Sequence, residues 1–146
     1  MPERNVAVVV FYDEKGNIVA QKRSSISKIG EKYGLWGGQI EPGETSEQAV
    51  RRELQEELGF VPKELDLWCD YSYIVSEEGK YNGWSINHSV FISPITPELE
   101  KAKVYEGDGM IKMTIDEAID SHGFSVGGTE FLKRIKKELF RIESDK

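Results

Sequence analysis

The sequence predicts an α/β fold in which a mixed β-sheet is covered by helices on both faces. The clearest helix is predicted at residues 45–58, strand patterns precede and follow it, and a second helix is predicted at 129–141. Strands that alternate with helices along a chain usually form one sheet buried between helical layers. The 146 residues contain no linker or repeat, so residues 1–146 are predicted to form a single domain.

Apolar, β-branched runs bounded by turn residues predict the strands. A turn-rich hexamer, residues 12–17, separates the first two strands and indicates a hairpin. A second turn-like segment separates two longer strands. The predicted elements are strands at 6–11, 18–21, 65–75, 84–92 and 110–113 and a short helix at 115–119, with an irregular stretch at 24–37.

Composition excludes several classes of protein. The formal net charge of −7 and the lack of a basic stripe argue against nucleic-acid binding. No apolar run approaches the ~20 residues that span a bilayer, and no apolar stretch follows a basic N-terminus. Cys69 is the only cysteine, which excludes an internal disulfide and a multi-cysteine zinc site. A cytoplasmic protein, monomeric or homodimeric, is expected.

The predicted helix at 45–58 has clear signals at both ends. Thr45 and Gln48, three residues apart, fit a capping box at its N-terminus. Gly59 lies where a left-handed residue usually ends a helix. These signals fix the helix and therefore fix which of its side chains share a face.

Three carboxylates share one face of this helix. Glu53, Glu56 and Glu57 lie within an arc of about 100°, and like charges at this spacing destabilise a helix by ~0.2–0.5 kcal/mol per pair. Arg52 alone cannot neutralise all three. The cluster indicates a bound cation, and oxygen ligands alone favour Mg²⁺ or Mn²⁺ over zinc. A solvated acidic face is the alternative.

The segment from Gly38 to Phe60, GQIEPGETSEQAVRRELQEELGF, resembles the Nudix box. The resemblance implies an α/β/α sandwich with the box as a loop–helix–loop. It also implies magnesium-dependent hydrolysis of a phosphoanhydride bond in a nucleoside diphosphate linked to another moiety, with a normal or oxidised nucleoside triphosphate as the default substrate. The matching positions are Gly38, Glu44, Arg52, Glu53, Leu54, Glu56, Glu57, Gly59 and Phe60.

The resemblance implies a role for each polar residue of the box. Glu53 and Glu57 would be the main carboxylate ligands of the divalent cations, and Glu56 would be a third ligand, often acting through a second ion or a water. The backbone carbonyl of Gly38 would also face the metal. Arg52 would orient the carboxylates through ion pairs and hydrogen bonds.

The general base of such an enzyme is either a box glutamate or an acid from a later loop. Glu106, in the segment 104–109, resembles that later acid because it stands shortly before the predicted strand at 110–113. Asp108 is the rival, and two turn-forming acids without a chemical role are the other alternative. Glu44 is expected to tie the loop of the box to its helix.

Arg23, Trp36 and Tyr81 are the candidates for substrate binding. Arg23 follows the second predicted strand and could contact a phosphate. Many family members have a proline directly before the Gly-Gly pair that opens the box, whereas this chain has Trp36. Trp36 and Tyr81 are the best candidates to stack on a nucleobase, and packing within the protein is the alternative for both. His88 is expected to be a hydrogen-bonded packing residue.

Three functions compete on this pattern. They are a hydrolase, a non-hydrolytic nucleotide-binding or sensing module, and an isoprenoid diphosphate isomerase. A degenerate box would signal the second, and this box is intact. The third requires a catalytic cysteine, and Cys69 does not occupy an obvious matching position. The hydrolase is therefore favoured.

Overall fold

A computed structural model describes residues 2–141 and contains a seven-stranded mixed sheet. The strands run in the order β3-β2-β1-β6-β5, while β4 pairs with β1 and β7 pairs with β2. The strands are β1 (Glu3–Tyr12), β2 (Asn17–Lys22), β3 (Tyr33–Gly34), β4 (Trp36–Gln39), β5 (Asp66–Ile74), β6 (Ser85–Pro94) and β7 (Gly109–Thr114). The helices are α1 (Ser46–Leu58), α2 (Pro97–Glu100), α3 (Ile115–Asp120) and α4 (Val126–Arg134), and a π-helix (Ile135–Leu139) follows α4.

Strand β1 organises the sheet. It pairs in parallel with β6 over its whole length, and the other pairings in the described chain are antiparallel. Along its other edge, β1 pairs first with β4 and then, at Phe11 and Tyr12, with β2. This arrangement places β4, which leads into α1, next to the centre of the sheet.

The two faces of the sheet are covered by different helices. Alternate side chains of β1 point to opposite faces of the sheet, and two buried clusters result. In one, Ala7, Val9 and Phe11 pack with Val50 and Leu54 of α1. In the other, the neighbouring valines of β1 pack with Phe131 and Leu132 of α4. The predicted mixed sheet with helices on both faces is confirmed.

Both ends of α1 have the predicted caps. Thr45 has extended backbone angles, its hydroxyl accepts a hydrogen bond from the Gln48 amide at 3.1 Å, and the Gln48 side chain accepts one from the Thr45 amide at 2.9 Å. Gly59 adopts the left-handed conformation, with φ of 61°. The capping box and the left-handed cap together hold the helix register of the acidic side chains.

Two predictions of secondary structure are wrong in detail. The stretch 24–37 is not irregular throughout, because β3 and the start of β4 lie within it. The last helix begins at Val126 rather than at 129, and its final turn is a π-helix that ends at Leu139. The sequence did not predict a start at Val126 because Gly127, in the first turn, is a poor helix former. A Cβ at Gly127 would lie 2.2 Å from the ring of Tyr73, so the packing of α4 on β5 requires glycine there.

Within residues 2–141, no helix is both long enough and apolar enough to cross a membrane. The α1 helix has 13 residues, whereas a bilayer requires about 20 apolar ones.

Candidate active site

Three carboxylates from two parts of the chain meet at the C-terminal half of α1. Glu53 and Glu57 come from α1, and Glu106 comes from the loop that precedes β7. One carboxylate oxygen of each lies within 4.8 Å of the others. We refer to Glu53, Glu57 and Glu106 as the carboxylate cluster. Its oxygen-only donor set fits a hard divalent cation such as Mg²⁺ or Mn²⁺.

Glu57 is the buried member of the cluster, with 1% of its surface exposed. Its Oε1 accepts a hydrogen bond from the Gly37 amide at 3.0 Å, and its Oε2 accepts one from the side chain of Gln21 at 3.5 Å. Burial raises the pKa of Glu57 to about 8, and the nearby negative charges of Glu53 and Glu106 add to this effect. The carboxylate is therefore held in one orientation, in surroundings that penalise its charge.

Gly38 allows Glu53 to lie directly against the backbone of β4. A Cβ at Gly38 would stand 2.5 to 2.7 Å from the carboxylate atoms of Glu53. Any larger residue would displace that carboxylate, which accounts for glycine here in physical terms. Burial raises the pKa of Glu53, and this shift is opposed by its contact with Arg52.

Arg52 joins the loop of the box to α1. Its guanidinium donates to both oxygens of Glu44, at 2.7 and 2.9 Å, and to the Gln39 carbonyl at 2.9 Å. It also donates to Glu53 at 2.9 Å. The hydrogen bonds from Arg52 lower the pKa of Glu44 to about 2. Arg52 thus connects Glu44 of the loop, the end of β4 and Glu53 of α1.

Glu56 lies outside the carboxylate cluster. Its side chain is 55% exposed and stands 3.5 Å from the guanidinium of Arg52. The third carboxylate close enough to share one cation with Glu53 and Glu57 is Glu106, from a distant part of the sequence. Glu56 is therefore not part of the carboxylate cluster, and its expected role as a third ligand, acting through a second ion or a water, stays a prediction.

Two hydrogen bonds attach the loop that carries Glu106 to the C-terminus of α1 and to β2. The Tyr105 amide donates to the Glu57 carbonyl at 2.7 Å, at the C-terminus of α1. The Glu106 carbonyl accepts a hydrogen bond from the side chain of Gln21 at 3.0 Å. These two bonds bring the exposed carboxylate of Glu106 to the cluster.

Asp108 has a different set of contacts. Its amide donates to the Lys22 carbonyl at 2.8 Å. Its carboxylate accepts two hydrogen bonds from Ser25, one from the backbone amide at 2.8 Å and one from the hydroxyl. These bonds from Ser25 lower the pKa of Asp108. Asp108 thus links its loop to the segment after β2, while Glu106 is the acid that lies near Glu53 and Glu57.

A cavity of about 220 Å³ adjoins the cluster on the α4 side of the sheet. Its wall includes Gly37 and Gly38, the backbone that contacts Glu57 and Glu53. Arg23 lies in this wall, where its guanidinium pairs with Glu31 at 3.0 Å. Tyr81 lies there too, and its ring is 4.9 Å below the guanidinium of Arg4. The structure therefore places two of the three predicted substrate-binding residues at one cavity.

Trp36 does not reach this cavity, and its prediction as a stacking surface is wrong. Its side chain is 0% exposed and packs in the apolar core between the sheet and α1. Its indole N–H donates to the Val19 carbonyl at 3.1 Å. Pairing of β4 with β1 turns this side chain into the core, so it cannot stack on a ligand.

Several aromatic residues of the cavity wall were not predicted as site residues. Tyr33, Tyr71, Tyr73 and Phe124 line it, together with His88. The His88 ring stacks on Tyr73 with centroids 5.4 Å apart, and its Nδ1 lies 3.1 Å from the Tyr71 carbonyl. Burial lowers the pKa of His88. The density of aromatics around the central strands was the available signal, but packing explains such a pattern equally well.

The chain is similar in sequence to proteins of the Nudix family. A family model described as the NUDIX domain matches residues 1–121. A protein of Listeria monocytogenes described as an uncharacterized Nudix hydrolase is 34% identical over 119 residues, which are 79% of this chain and 67% of that protein. The chain therefore belongs to the Nudix family.

The chain also resembles a second relative in sequence and a solved structure in fold. The 8-oxo-dGTP diphosphatase of Escherichia coli (strain K12) is 38% identical over 73 residues, which are 50% of this chain and 57% of that protein. The chain thus aligns with little more than half of that relative's length. The fold is also similar to the crystal structure of a MutT protein from Methanosarcina mazei Go1, with a TM-score of 0.74 and 20% sequence identity. The superposition covers 94% of this chain and 96% of the MutT chain. This likeness shows a shared fold.

The raised pKa of Glu57 predicts how the stability of the metal-free protein depends on pH. The folded protein holds a proton on Glu57 up to about pH 8, whereas the ordinary value is 4.5. The folded state therefore binds more protons than the unfolded state between these values, and this group lowers the free energy of unfolding as pH rises through that window. The slope for one proton is at most about 1.4 kcal/mol per pH unit.

Glu57→Gln should remove this contribution, so the variant should gain stability relative to the wild type between pH 5 and pH 8. Urea unfolding of chelator-treated protein at several pH values measures it. Glu130→Gln, at an exposed glutamate of α4, serves as the control and should follow the wild type. Parallel stability curves for the wild type and Glu57→Gln would contradict the effect of burial.

Proposed function

We propose that the protein hydrolyses a phosphoanhydride bond in a nucleoside diphosphate linked to another moiety. The observation that carries this proposal is the carboxylate cluster, which adjoins an aromatic-lined cavity. The similarity to an 8-oxo-dGTP diphosphatase supports a nucleoside triphosphate, normal or oxidised, as the substrate class.

The residues of the cluster fit a magnesium site, with Mn²⁺ as a substitute. Glu53 and Glu57 would hold the cation, since Arg52 and the backbone of β4 keep both carboxylates in place. The Gly38 carbonyl would contribute a further oxygen from the same strand. When bound, such cations neutralise charge on the diphosphate oxygens and lower the pKa of an attacking water.

The cavity would take the nucleoside and orient the diphosphate toward the cluster. Its apolar and aromatic wall suits a base and sugar. Arg23 is the cation in this wall that also contacts Gln21, a neighbour of Glu57. A phosphate between the cavity and the cluster would therefore meet Arg23, and Tyr81 would contact the nucleoside.

Glu106 is the proposed general base. Both oxygens of Glu57 accept hydrogen bonds from the protein, and Glu53 is paired with Arg52. Glu106 is exposed to solvent and close to both. Its carboxylate would take a proton from a water molecule while the water oxygen forms a bond to phosphorus and the phosphoanhydride P–O bond breaks.

The structure weighs against the isomerase. Cys69 lies on β5, and burial raises the pKa of its thiol, which disfavours the reactive thiolate. Within the described chain, Cys69 is not among the residues that line the cavity or form the cluster. The remaining alternative is a module that binds nucleotides without cleaving them.

The proposal predicts metal-dependent turnover. Chelator-treated protein should lose essentially all hydrolysis of nucleoside triphosphates and related diphosphate derivatives, and Mg²⁺ or Mn²⁺ should restore it. A phosphate- and pyrophosphate-release screen over these compounds measures it. Full activity in excess chelator would refute a role for the cluster, and nucleotide binding without cleavage in the presence of metal would support the non-hydrolytic module.

A second prediction separates the base from the ligands. Glu106→Gln should lower kcat by ~10²–10⁴-fold, the usual contribution of a general base, with little change in substrate binding. Asp108→Asn is the control and should have a small effect, because Asp108 contacts Ser25 rather than the cluster. Near-normal turnover of Glu106→Gln, together with an inactive Glu56→Gln that still binds magnesium, would assign the base to Glu56 instead.

A further inference from the structure

Gln21, near the end of β2, is a polar side chain that is completely buried, with 0% of its surface exposed. A buried amide that lacks hydrogen-bond partners costs about 1–3 kcal/mol. The side chain is therefore expected to have partners, and those it has all belong to the proposed site. Neither the Nudix-box pattern nor the mechanism above gives it a role.

The two ends of the Gln21 amide contact different parts of the site. Its Nε2 donates to the Glu106 carbonyl at 3.0 Å and to Oε2 of Glu57 at 3.5 Å. Its Oε1 accepts a hydrogen bond from the guanidinium of Arg23, which lies in the cavity wall. One side chain thus touches a proposed metal ligand, the backbone of the proposed base and the proposed phosphate contact.

The loop of Glu106 also packs tightly on this side chain. Gly107 has φ of +90°, and a Cβ there would lie 2.7 Å from the Lys22 carbonyl and 3.1 Å from Nε2 of Gln21. The loop backbone therefore lies so close to β2 that only glycine fits at position 107. A change in the shape or polarity of Gln21 would move the residue next to Glu106.

We propose that Gln21 is a positioning residue that fixes the Glu106 loop against Glu57 and holds Arg23 at the cavity wall. This inference rests on the proposed function, since it assigns Gln21 to the same reaction. Gln21 acts through its neighbours and does not itself contact the reacting atoms.

The chemistry of an amide is what this position requires. A glutamine has a donor at one end and an acceptor at the other, and it carries no charge. Glutamate could not donate to the Glu106 carbonyl and would add a negative charge beside Glu57. Lysine could not accept from Arg23. An apolar residue would leave both the carbonyl and the guanidinium without this partner.

The test is a double-mutant cycle with purified enzyme and the best nucleotide substrate. Gln21→Met keeps an unbranched side chain of similar length and removes these hydrogen bonds. It should lower kcat by ~10–100-fold, the usual effect of a supporting residue, and change KM by a smaller factor. In a Glu106→Gln background the same change should cost less, because the part of its effect that acts through the base is already gone and only the part that acts through Arg23 remains.

Ser93→Ala is the matched control. Ser93 is also buried, and its hydroxyl donates to the Glu64 carbonyl at 2.6 Å, away from the cluster. This variant loses a buried hydrogen bond, so it reports the effect of lowered stability alone. Its kcat should stay near that of the wild type, and any change should be equal in both backgrounds.

Hydrogen exchange of the 104–109 amides gives a second readout that does not depend on activity. Gln21→Met should speed exchange of these amides, and Ser93→Ala should not. Unchanged exchange and an equal loss of kcat in both Glu106 backgrounds would overturn the role of Gln21. If the wild type cleaves no nucleotide while exchange responds as expected, the proposed function fails and the attachment of the loop to Gln21 stands.

Discussion

The burial of the Glu57 carboxylate is the constraint around which the site is built. Its oxygens bind the Gly37 amide of β4 and the side chain of Gln21 on β2, while its own backbone carbonyl binds Tyr105. One residue of α1 therefore contacts two strands and the loop of Glu106. The caps of α1 and the glycines of β4 allow this approach, so the fold and the site depend on the same contacts.

The cluster is electrostatically unfavourable without a cation. Glu53 and Glu106 both raise the pKa of Glu57, in addition to the effect of its burial. Arg52 offsets part of the charge through Glu53, but half of its hydrogen bonds go to Glu44 and to the Gln39 carbonyl at the end of β4. A folded protein that keeps such a cluster gains stability from a ligand that neutralises it. The contacts that orient the acids therefore also create the repulsion that a divalent cation would relieve.

The sequence predicted those features that are local. The periodicity and caps of α1 placed Glu53 and Glu57 on one face, and both sheet faces were correctly expected to carry helices. The direction of Trp36 was not predictable, because it depends on pairing between β4 and the distant strand β1. The contacts of Gln21 were not predictable either, since its partners Glu57 and Glu106 lie 36 and 85 residues away in the sequence. Long-range register determines such contacts, and local pattern does not.

The central claim is that Glu57 holds a divalent cation, and binding of Mn²⁺ in the absence of nucleotide tests it most directly. Loss of the free Mn²⁺ signal in electron paramagnetic resonance gives the Kd for each protein. The wild type should bind Mn²⁺, and Glu57→Gln should weaken binding by at least about tenfold, or about 1.4 kcal/mol. Glu130→Gln should leave the Kd unchanged. Equal Mn²⁺ affinity in the wild type and Glu57→Gln would contradict the account.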